Sequence, residues 1–71
     1  MPRFFFDVSE RGDVYHDARG TILPGFGAAR QRAFDIVRKL RPGPRDQTDA
    51  ICTVRDAGGH LLTQVSSERA R

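Results

Sequence analysis

The chain contains no tryptophan, one tyrosine, one methionine and one cysteine among its 71 residues. Each scarcity removes a class of explanation. A lone cysteine, Cys52, makes no internal disulfide, so no covalent link compensates for a small core. Metal-ligand spacing is missing too: His16, Cys52 and His60 stand apart, without C-x-x-C or H-x-x-x-H, and neither a metal nor any other cofactor is expected. Lysine is nearly absent, with Lys39 standing beside eleven arginines. That preference, with the frequent Ala, Gly and Asp, fits the coding bias of a GC-rich genome as well as it fits phosphate binding. Long apolar runs are also lacking. Phe4, Phe5 and Phe6 are stopped by Asp7, which leaves no secretory h-region and no bilayer-length span. The expectation is a cytoplasmic protein with no membrane partner.

What is present points to a fold. Hydrophobic residues make up 38% of the chain and charged ones 30%, the balance of a globular domain rather than a disordered tail. At this length a domain hides only about 60% of its extended surface, so the core is thin. The net charge of +3 raises an acidic partner, nucleic acid among them, as a possibility to weigh.

Residues 3–8, rich in β-formers, read as a strand; polar residues 9–13 read as a turn, and 14–17 as a short antiparallel partner. Asp17-Ala18-Arg19-Gly20 is a second turn in which Gly20 is free to take positive φ, and 21–23 is a short extended piece. After Pro24, the apolar residues Phe26, Ala29, Ala33, Ile36, Val37 and Leu40 recur at steps of three and four, which predicts the single helix. Arg38, Lys39 and Arg41 suit its C-terminal end, and Pro42-Gly43-Pro44 forbids continuation. Residues 49–56 and 60–66 alternate as strands around the hairpin turn Asp56-Ala57-Gly58-Gly59. The expected fold is α+β: a two-layer ββαββ unit, four antiparallel strands with one helix on one face. It forms a single domain over residues 1–66, with a frayed end at 67–71.

The stretches "MPRFFFDV", "DARGTILP" running into a helix with "AAR", and "VRDAGG" resemble a family of short bacterial proteins from soil and plant-associated species, known as a domain of unknown function. The likeness spans almost the whole chain and implies a small α+β fold. It brings no activity, cofactor or catalytic residue with it. Similar proteins carry an acidic residue after the leucine-proline and another two positions on; here Gly25 and Gly27 stand there, which weakens the first helical turn.

One helix covers one face of such a sheet, and three consecutive phenylalanines on a strand cannot all point to it. With Phe4, Phe6 and Val8 under the helix, beside Ala50, Cys52, Val54, Leu61 and Val65, Phe5 faces away. Alternation then places Tyr15, Ile51 and Leu62 with Phe5, edged by Arg3 and Arg55. An open apolar face of that kind calls for contact, and a homodimer or a protein partner is the expected use. A terminal tail or bent strand folded over the face would remove the need. The rival reading is a weak binder of single-stranded nucleic acid that stacks bases on Phe5 and Tyr15 between the arginines, although Asp7 and Asp17 lie near. An enzyme is not expected: His16 and Asp17 are adjacent on a strand and point apart. Neither "PGFG" nor "DAGG" matches a phosphate loop.

Overall fold

The computed structural model describes residues 1–10, 12–40 and 50–67. It contains β1 (Arg3–Glu10), β2 (Asp13–Tyr15), β3 (Thr21–Ile22), α1 (Phe26–Lys39), β4 (Ile51–Asp56) and β5 (Leu61–Ser66). The α+β class holds. The expected count of four strands does not, because β3 pairs with β1 and makes the sheet five-stranded. All pairings are antiparallel, in the order β2-β1-β4-β5, with β3 beside the opposite end of β1 from β2. The anticipated loop at 41–48 lies outside the described residues.

β1 is longer than its apolar run. Glu10 pairs with Asp13, so the connection shrinks to residues 11 and 12, with Gly12 at a φ of 85°. Ser9 and Glu10, which read as turn residues, are strand instead. β2 and β3 run in the same direction along the same edge of β1, and form one edge strand interrupted by residues 16–20.

The helix begins where its sequence is weakest. Gly25 supplies no side-chain cap, and the first turn holds no acidic residue. Its last turn carries Arg38 and Lys39, and the Leu40 N–H donates to the Ile36 carbonyl at 3.2 Å. The fully buried stripe is Ala29, Ala33 and Val37, while Phe26 at the start of the predicted stripe is exposed.

Small helix residues meet small sheet residues. α1 lies over β4 and β5, where Cys52, Val54 and Val65 are buried. Phe4 and Phe6 of the neighbouring β1 complete the core beside it, and the Arg32 guanidinium stands 6.0 Å from the Phe6 ring centroid. The fold extends one residue past the expected domain end. Ser67 is buried, its N–H donates to the Ala50 carbonyl at 2.8 Å, and its hydroxyl accepts the Ala50 N–H. The rest of the expected frayed end, 68–71, lies outside the described residues.

Candidate interaction surface

The strand register decides which side chains share the face away from the helix. On β1 these are Arg3, Phe5, Asp7 and Ser9, since Phe4, Phe6 and Val8 belong to the core side. On β4 they are Ile51, Thr53 and Arg55, paired with Ser9, Asp7 and Phe5 respectively. Ile51 and Leu62 are exposed there as expected. Tyr15 is not. It pairs with Val8, and directly opposed residues project to the same side of a sheet, so Tyr15 stands on the helix side, beyond the reach of α1 and 59% exposed. The residue of β2 on the open face is Val14, opposite Ser9.

Leu61 is also displaced from its expected position. A register shift at Val54 and Arg55 sets Leu61 opposite Arg55, which takes it out of the core and onto the open side. Ile22, opposite Arg3, adds another exposed apolar side chain. The signal for Ile22 lay in the alternation of residues 21–23; nothing in the sequence marks the bulge.

The centre of the face is polar and already engaged. Asp7 sits two positions after Phe5 with its side chain 11% exposed, and Arg55 grips it with Nε at 2.5 Å and Nη2 at 3.1 Å. The same guanidinium lies 5.4 Å from the Phe5 ring centroid. The Arg55 hydrogen bond holds the Asp7 carboxyl below its ordinary pKa; burial opposes this, and the Asp17 N–H, donated at 2.9 Å, assists. His16, which the sequence set beside Asp17, stands instead 3.7 Å from Asp7 and remains exposed.

Asp17 mends the interrupted edge. Phe4 and Val8 have strand partners on that side, Thr21 and Tyr15; Phe6 between them has none, and its N–H donates to the Asp17 carboxylate at 3.1 Å. The other carboxylate oxygen accepts the Arg19 and Gly20 N–H groups at 3.1 and 2.9 Å, an Asx-turn whose D-x-x-G signature is visible in the sequence. Burial pushes the Asp17 pKa up, but the Gly20, Phe6 and Arg19 N–H donors outweigh it and the carboxyl sits below its ordinary value. Arg3 ties down the same loop through Nη1 to the Arg19 carbonyl at 2.6 Å.

This loop half-covers Phe5. A Cβ added at Gly20, whose φ is +72°, would lie 2.8 Å from the Phe4 carbonyl oxygen and 3.0 Å from the Phe5 ring. Gly20→Ala should therefore lower stability by at least about 2 kcal/mol, from backbone strain and displaced neighbours together. Gly12→Ala, with positive φ but open space around it, should cost only about 1 kcal/mol. Urea unfolding midpoints of the two variants compare them directly.

Elsewhere polar side chains hold a turn. Asp56 accepts the Gly58 and His60 N–H groups at 2.9 Å each and stands 3.3 Å from the His60 ring, which closes the β4–β5 turn. Cys52 is fully buried, and burial raises its thiol pKa to about 11. Among the described residues no three metal-binding side chains converge, and no helix is long and apolar enough to cross a membrane.

The fold and surface together define a small α+β domain: a sheet with a helix on one side and a face of exposed aliphatic residues around a central ion pair on the other. The chain belongs to the family described as a domain of unknown function (DUF6894), which matches residues 3–68. No curated protein and no solved structure matches it.

Proposed function

We propose that the chain is a non-catalytic association module, and that its working surface is the side of the sheet turned away from α1. The observation that carries this reading is the exposure of Val14, Ile22, Ile51, Leu61 and Leu62 on that side, with no second layer over them among the described residues. Each such side chain contributes about 1.5 to 3 kcal/mol when fully buried, a large share of the about 3 to 5 kcal/mol that a core of this size supplies. Partners in this reading are a second copy or another protein.

The residues at work differ from those first expected. Phe5 and Arg55 act as the floor of the face, held by Asp7 and the Gly20 loop, and the aliphatic side chains around them make contact. The same engagement weighs against stacking of nucleic-acid bases. The guanidinium and ring a base would use are already paired with each other, and two carboxylates lie beside them.

Sedimentation equilibrium of the purified chain and of Ile22→Glu tests the reading. Ile22 is 49% exposed at the end of β3, where a charge leaves the core intact. The variant is expected to keep its circular dichroism and to lose the association made through this face, falling below the parent's mass. A variant that associates as the parent does would remove this face from consideration.

A further inference from the structure

The two edges of the sheet are built differently. On one side β2 and β3 offer three and two residues, separated by a loop, and Asp17 serves the backbone at the break. On the other side β5 runs six residues, Leu-Leu-Thr-Gln-Val-Ser, with neither charge nor proline. It has no outer neighbour among the described residues. Edge strands that must stay single are short, bulged, charged or interrupted by proline. The β2/β3 edge follows that pattern; β5 is bulged at Leu62, where its register with β4 shifts, and carries no such device from Thr63 onward.

We propose that the outer edge of β5 is a seam joining two copies of this chain, antiparallel and centred on Gln64, into one continuous sheet. The seam is distinct from the open face described above. Its hydrogen-bonding groups follow from one observed bond. The Ser67 N–H reaches the Ala50 carbonyl at 2.8 Å, so by the alternation of an antiparallel ladder Val65 and Thr63 also direct their N–H and C=O groups at β4. The Leu62 carbonyl and both backbone groups of Gln64 and Ser66 therefore point outward.

That set is complementary to itself. Around a two-fold axis at Gln64, the two Gln64 residues exchange a pair of N–H···O=C bonds, and each Ser66 N–H meets the Leu62 carbonyl of the second copy. Side chains agree with the pairing. Thr63 stands opposite Val65 of the second copy on the helix side, a β-branched pair; Leu62 stands opposite Ser66 on the open side. Because Ser66 is small and lies beside Ile51, Leu62 gains a path over it toward Ile51 of the second copy, and the two exposed aliphatic side chains close on each other. Charge favours a second copy as well. The chain carries +3 overall, but no ionisable residue lies within Leu61–Ser66, so the paired strands set no like charges opposite one another.

The test is the mass of the purified chain and of two variants, read by sedimentation equilibrium, with circular dichroism as a check on folding. Gln64→Pro removes an outward N–H that β4 does not use, a change an edge strand tolerates. Gln64→Lys sets two ammonium groups together at the axis. With the open face disabled by Ile22→Glu, the chain is expected at twice the 8.0 kDa of one chain, and Gln64→Pro and Gln64→Lys made in that background at the single mass, with the dissociation constant raised by roughly a hundredfold or more. The Gln64 and Ser66 amides should exchange hydrogen slowly in the parent and fast in Gln64→Lys. If Gln64→Pro does not fold, Gln64→Lys decides. A parent that stays at the single mass up to millimolar concentration, or a Gln64→Lys variant that keeps the double mass in the Ile22→Glu background, overturns the seam. Loss of the double mass in Ile22→Glu but not in Gln64→Lys would overturn it too, while leaving the open-face reading intact.

Discussion

Phe6→Ala should leave most of the chain unfolded at room temperature. Phe6 is 6% exposed and packs with Phe4, Val54 and the Ala29–Ala33–Val37 stripe in one core cluster. Truncating a buried phenylalanine costs about 3 to 5 kcal/mol, which equals the whole net stability of about 3 to 5 kcal/mol that so small a core supplies. No disulfide limits the unfolded chain, since Cys52 is the sole cysteine, and the small helix residues opposite cannot expand into the space. Phe5→Ala, one position away, should fold. Its ring is only half-buried, between the Gly20 backbone and the Arg55 guanidinium, and losing it should cost about 1 kcal/mol. Urea titrations followed by circular dichroism give the comparison. Equal losses at the two positions would mean that the strand does not divide its phenylalanines between two faces.

That division was legible from the sequence because it needs only the period of a strand. The helix was legible for the same reason: one period of 3.6 placed Ala29, Ala33 and Val37 together, and the prolines after residue 41 marked its limit. Features that depend on register were not. A two-residue connection between β1 and β2 pairs even positions of one with odd positions of the other, whereas the five-residue turn expected from polar residues 9–13 kept odd with odd. A change in turn length therefore moved Tyr15 to the helix side and brought Val14 to the open one. The bulge at Arg55 did the same to Leu61. Sequence reasoning found an open face and three of its apolar members, Phe5, Ile51 and Leu62, but not the ion pair at its centre. Asp7 and Arg55 are 48 positions apart and meet only once β1 and β4 are in register.

Asp17→Ala should be the most damaging change outside the core, with a loss of about 3 kcal/mol. The carboxylate accepts three backbone N–H groups, and hydrogen bonds to a charged acceptor contribute about 1.5 to 3 kcal/mol each when the donor has no other partner. Phe6 is the decisive donor. Its N–H faces the gap between β2 and β3, where no strand carbonyl stands, while the turn N–H groups of Arg19 and Gly20 can find water. The same residue contributes to the acid limit of the fold. Asp7 and Asp17 both have folded pKa values below the ordinary carboxylate value, so the unfolded chain binds protons more readily and protonation favours unfolding. Their contribution is complete above the unfolded value of about 3.9 and is lost as pH falls through the lower folded values. The melting temperature should therefore hold steady from neutral pH down to about pH 5 and fall steeply below about pH 4. Asp17→Asn, which keeps an acceptor oxygen but has no charge to lose, should start lower at neutral pH and show a shallower acid limb. Thermal melts across this range, with parent and variant side by side, measure both effects. An acid limb of unchanged depth in Asp17→Asn would assign the acid sensitivity to Asp7 with its Arg55 bond and to Asp56, whose carboxyl the His60 N–H also holds below its ordinary value.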